Sequence, residues 1–134
     1  MRITNQSEED EPPFYAVRFA EAARDEIDQE YVRLVGISGI DVADDWQSRL
    51  LEAIRSLATY PERCVLAPED QQFQRVRPGI QLRVLIYWRT RSGPAWRILF
   101  SVQEANILDP PTVRVRHIWH SARAPITFWP AEDE

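Results

Sequence analysis

His120 is the side chain best suited to moving a proton near neutral pH, because an unperturbed imidazole titrates there. It closes the run VRVRHIWHSAR (113–123), which also supplies Arg114, Arg116 and Arg123. Arg97 and Arg83 come from two earlier hydrophobic runs, and Tyr87 stands near the end of the first of these. Guanidinium forks hold an oxyanion through two parallel N–H bonds. Such a set could break an RNA phosphodiester without a metal. One group accepts the 2′-hydroxyl proton, another protonates the leaving 5′-oxygen, and cations stabilise the phosphorane. In that chemistry His120, Arg97, Arg123 and Tyr87 are the catalytic candidates, and Arg83, Arg114 and Arg116 bind substrate. The same arginines could instead grip an acidic surface with no chemistry at all. Arg97 has the alternative of pairing with a carboxylate from a helix. His117, with Val115 and Trp119 at i±2, reads as a packed structural histidine.

The elements that must carry these residues follow from periodicity. Trp96, Ile98, Phe100 and Val102 alternate along one strand, and Val113, Val115, His117 and Trp119 along the next. Ile118 falls on the arginine parity, so a bulge near the end of that strand could exchange its faces. Residues 82–88 (LRVLIYW) form a third strand and 14–19 (FYAVRF) a fourth. Between them the period changes to 3.6. Ala20, Ala23, Ile27, Tyr31 and Leu34 mark a helix over 20–35, and Trp46, Leu50, Ile54 and Leu57 one over 42–58. Gly36 and Gly39 are read as the break between them, with Asp41 as N-cap of the second helix. Residues 61–80 carry three prolines and no sustained period, and read as a long connection with a short strand or turn near 73–76. The fold class expected is α+β: a two-helix hairpin on a mostly antiparallel four-stranded sheet, order β-α-α-β-β-β. Residues 1–13 read as a flexible acidic arm, 14–127 as one domain and 128–134 as an acidic tail.

Composition narrows the function. The 134 residues include one cysteine and two histidines, which excludes an internal disulfide and disfavours a structural metal site. No apolar run is long enough to cross a bilayer, and the opening residues lack the apolar core of a signal peptide, so a cytoplasmic protein is expected. The net charge of −5 conceals a division. Residues 71–130 hold nine arginines against Glu104 and Asp109, whereas residues 14–70 hold six arginines against twelve acids. One surface should be basic and another acidic, and a basic surface suits a polyanion or an acidic protein. All sixteen basic residues are arginine, so no lysine is available as a general base.

Four segments, in order, carry a family resemblance: FAEAARDEIDQEY after the first strand, IRSLATYPERCVLAPE, WRILFSV, and VRVRHIWHSAR. Over about residues 14–126 the chain resembles the RelE/ParE toxin superfamily of type II toxin–antitoxin systems, also labelled plasmid stabilisation proteins. The resemblance implies a small α+β toxin that needs no cofactor and is neutralised by a cognate antitoxin from an adjacent gene. The activity it implies is inhibition of translation by ribosome-dependent mRNA cleavage, a metal-independent endoribonuclease reaction. The alternatives are a ParE-like, non-enzymatic inhibitor of DNA gyrase and a degenerate protein that only binds antitoxin.

Overall fold

The structure is a computed structural model and describes residues 14–122. The expected acidic arm, the acidic tail and Arg123 lie outside the described residues. Strand β1 (Ala16–Phe19) leads into helix α1 (Glu21–Ser38) and helix α2 (Ile40–Arg55). Two single 3₁₀ turns and a short helix α3 (Asp70–Val76) precede strands β2 (Leu82–Trp88), β3 (Ala95–Gln103) and β4 (Thr112–His120). The sheet order is β1-β4-β3-β2. β2, β3 and β4 form an antiparallel meander, and β1 runs parallel to β4.

The 3.6-period stripes bury as expected. Ala23, Ile27 and Leu34 of α1 join Ala43, Trp46, Leu50 and Ile54 of α2 over the inner face of the sheet, whose contribution includes Ile98, Phe100, Val113 and Val115. Trp46, Leu50 and Ile54 are almost fully buried, and each such side chain stabilises the fold by about 1.5–3 kcal/mol before the entropy of ordering is counted. The break between the helices is tighter than the two-glycine spacing predicts. α1 continues through Gly36 to Ser38, and Gly39 alone, at φ +92°, reverses the chain into α2. A Cβ would meet nothing there; the left-handed backbone is what favours glycine. Asp41 therefore sits in the first turn of α2, not at its N-cap.

The connection 61–80 is more ordered than its prolines suggest. Asp70 Oδ1 accepts the Leu82 N–H at 2.7 Å, Gln74 reaches the Ile80 carbonyl at 2.8 Å, and Phe73 of α3 is buried. α3 packs on the outer face of the sheet, where Phe73 forms a second apolar cluster with Ala67, Leu82, Val84 and Leu99. Both faces of the sheet are thus covered in part.

One irregularity resets β4. Val115 pairs with Phe100 and His117 with Leu99, so Arg116 is an extra residue on its strand. Before the bulge Val113 and Val115 face the helices; after it Ile118 and His120 do. Trp119 packs against the outer cluster. The plain alternation predicted for Val113, Val115, His117 and Trp119 ends at this bulge.

Candidate functional site

The end of β4 meets the middle of α1. Beyond Phe19 the strand has lost its β1 neighbour, and Glu26 takes over that edge. Its Oε1 accepts the Ile118 N–H at 2.8 Å, and its Oε2 accepts from His117 Nδ1 at 2.8 Å. His117 is buried and paired, in keeping with its reading as a structural histidine. His120 is half-buried, with its ring edge-on to Trp96 at 5.3 Å between centroids. The Ala122 N–H donates to His120 Nδ1 at 3.1 Å, which leaves the proton of the neutral imidazole on Nε2. This histidine borders an open cleft of about 610 Å³ together with Glu26, Glu30 and Arg33. Arg33 is bound through Nε and Nη2 to Glu30, which raises the guanidinium pKa further above its ordinary value.

The outer face carries a different set. Arg97 forks onto Glu69, with Nη1 to Oε2 at 2.8 Å and Nη2 to Oε1 at 2.5 Å. The helix-side carboxylate that the sequence offered as an alternative partner for Arg97 is thus the residue just before α3. Arg116 is buried, its Nε donating to Ser101 Oγ at 3.1 Å and its guanidinium lying over the Phe73 ring at 5.3 Å. Arg114 is half-buried opposite Ser101 on β3 and beside exposed Arg18 on β1. Like charges on adjacent strand positions repel, and among the described residues no carboxylate pairs with Arg18 or Arg114.

Tyr87 and Arg83 belong to the inner parity of β2. The Tyr87 hydroxyl is buried and donates to the Trp46 carbonyl at 3.2 Å. Burial, then the nearby Asp45, push its pKa above the usual phenol value, with Arg49 and Arg89 opposing. Arg83 Nη1 donates to the Cys64 carbonyl at 2.6 Å and Nη2 to Gln81 Oε1 at 2.8 Å, tying the connection to the sheet. The structure therefore does not gather the candidates into one constellation. His120 and Arg97 occupy opposite faces, Tyr87 lies in the core, and Arg83 supports a loop. Arg114 and Arg116 share the outer face with Arg97. Sequence reasoning missed Arg18, which only the pairing of β1 beside β4 brings into this group, and Glu26, whose helical position gave no hint of a strand-edge role.

Among the described residues no three His, Cys, Asp or Glu side chains cluster to hold a metal ion, and no helix is long and apolar enough to cross a membrane. No family model matches the chain, and no curated protein matches it. Among solved structures, a chain of the chromosomal ParDE TA system from P. aeruginosa is similar, with a TM-score of 0.56 at 16% identity. The match covers 80% of this chain and 96% of that one. The likeness is one of fold, and the fold is the α+β arrangement expected from the RelE/ParE resemblance.

Proposed function

We propose that this chain is the toxin of a type II toxin–antitoxin pair, neutralised by an antitoxin from an adjacent gene, and that it acts by gripping its target and not by cutting RNA. The toxin reading is supported by the shared fold with the ParDE chain together with the four sequence segments. The observation that carries the non-enzymatic reading is the separation of His120 from Arg97. A scissile phosphate must touch its acid or base and its cationic clamp at once. The sheet stands between these two, and Arg97 is already satisfied by Glu69. What the outer face retains for an anionic partner is exposed Arg18 beside half-buried Arg114. Among the targets implied by the resemblance, DNA gyrase fits this mode of action and the translating ribosome does not.

The test is one preparation assayed for inhibition of gyrase supercoiling and for mRNA cleavage on translating ribosomes, each with and without the product of the adjacent gene. Inhibited supercoiling, relieved by that product and accompanied by no cleavage, is expected. Cleavage without an effect on supercoiling overturns the non-enzymatic reading, and failure of the adjacent product to bind overturns the toxin–antitoxin assignment.

A further inference from the structure

The outer face of the sheet is covered on one side only. Phe73 of α3, with Ala67, Leu82, Val84 and Leu99, shields the part built by β2 and β3. The part built by β1 and the start of β4 lies outside that cluster. There Ala16 and Arg18 alternate with the core-facing Tyr15, Val17 and Phe19, and Thr112 and Arg114 flank the buried Val113. Parallel pairing sets Arg18 opposite Arg114 and brings the start of β1 to the start of β4. The other arginines on this face are engaged, Arg97 by Glu69 and Arg116 by Ser101 and the Phe73 ring. Two neighbouring guanidinium groups with no carboxylate on them among the described residues ask for an anion.

The sequence places one beside them. Glu8, Glu9, Asp10 and Glu11 precede β1, and the residues before the described ones join the fold at Phe14. Arg18 lies four positions past Phe14, roughly 13 Å along an extended strand. Glu11 and Glu8 lie three and six positions before it, which gives them a reach of roughly 10 and 20 Å. The acidic run therefore brackets the distance to the pair. Glu132, Asp133 and Glu134 are placed less well, because they follow Ala122 by ten or more residues and Ala122 lies beyond the far end of β4. A longer tether lowers the effective concentration of the group that it carries.

We propose that this face is the docking surface for the chain's own Glu8–Glu11 run, whose carboxylates accept from Arg18 and Arg114. Contacts at an exposed face are individually weak, so the run screens the two arginines without fixing them. A partner with a denser acidic surface has to displace it, and the run then sets a threshold for association. The contact itself stands apart from the toxin reading; only the identity of the displacing partner rests on that reading.

Nuclear magnetic resonance of the arginine Nε–H signals tests it, on the full chain and on the full-length variant Glu8→Gln, Glu9→Gln, Asp10→Asn, Glu11→Gln. These substitutions leave every described residue in place. The Arg18 and Arg114 signals should move in the variant while that of Arg97 stays, and about 0.5 M salt should carry the unmodified chain towards the variant. Pentaglutamate, as an acidic probe, should bind the variant roughly threefold or more tightly than the unmodified chain, since an internal competitor has been removed. Identical Arg18 and Arg114 signals in the two chains, or equal affinity for pentaglutamate, overturns the proposal. So does a contact that fades on dilution, which assigns the face to a second copy, or one that responds instead to neutralising Glu132, Asp133 and Glu134. None of these measurements involves gyrase, so failure of the toxin reading leaves their outcome unchanged.

Discussion

Glu26 and His117 lie ninety-one positions apart in the chain and meet at 2.8 Å, where the glutamate stands in for the strand that β4 lacks beyond Phe19. One carboxylate satisfies an edge amide and an imidazole together. Glu26→Ala should cost about 1–3 kcal/mol, the penalty for leaving partly buried donors unpaired, and Glu26→Gln less, because an amide oxygen still accepts from Ile118. Urea denaturation of the two variants checks the order. Equal losses would show that the edge amide carries little of the effect.

Arg97 and Glu69 form a largely desolvated fork. Breaking such a pair from one side strands a charge, so Glu69→Ala should destabilise by about 3 kcal/mol. Replacing both, as Arg97→Met with Glu69→Leu, should cost far less, because an apolar pair of similar volume suits the site beside Ile86 and Trp119. A double-mutant cycle measures the coupling. Additive losses would reject the pair as a structural unit.

Arg18 and Arg114 repel across β1 and β4. Arg18→Thr should stabilise the fold by about 0.5 kcal/mol, through relief of a like-charge cross-strand pair and a better strand residue. The same change should weaken association with the target, most visibly at low salt, where guanidinium contacts are least screened. A variant that is more stable in thermal denaturation and less inhibitory in the supercoiling assay is expected; unchanged inhibition at all salt concentrations would remove this pair from the contact surface.

Three tyrosines are held protonated. Burial, followed by hydrogen bonds to Glu62 and Glu104, raises the pKa of Tyr15, whose hydroxyl lies 2.9 Å from the first carboxylate and 3.1 Å from the second. Burial raises Tyr87, and the hydrogen bond to Asp44 is the leading cause for Tyr31. A pKa raised by folding means that the folded chain keeps its proton longer than the unfolded one. Their stabilisation is complete below the ordinary tyrosine value of about 10 and is lost above it, as the pH climbs through the raised values of the folded chain. Urea midpoints should fall steeply on the alkaline side, and Tyr15→Phe should flatten that fall. An unchanged slope would show that Tyr15 titrates alike in both states.

The two long helices and the three meander strands were legible because period 3.6 and period 2 each persisted through enough residues to be unambiguous. α3 was not, since seven residues after a proline offer barely two turns, and it is fixed by the Asp70 and Gln74 side chains reaching Leu82 and Ile80. The candidate site suffered from a different limit. Alternation was carried along β4 without knowledge of where the extra residue falls, and one extra residue at Arg116 exchanges the faces of everything after it. His120 was therefore grouped with Arg97, although the fold puts them on opposite sides. The pairing of Arg97 with a helix-side acid was foreseeable as a type of contact but not as Glu69, because the connection that presents Glu69 had no readable period.

The parallel pairing of β1 with β4 also governs when the fold can exist. Ala16 finds its partner in Thr112, so the first described strand waits for the last before it gains a neighbour. Helices α1 and α2 and the β2–β3 hairpin depend on nearer contacts and can form while synthesis continues. At typical elongation rates the emerging chain spends several seconds with β1 unpaired and the inner apolar face incomplete. A protein built in this way acquires its finished surface only after β4 has left the ribosome.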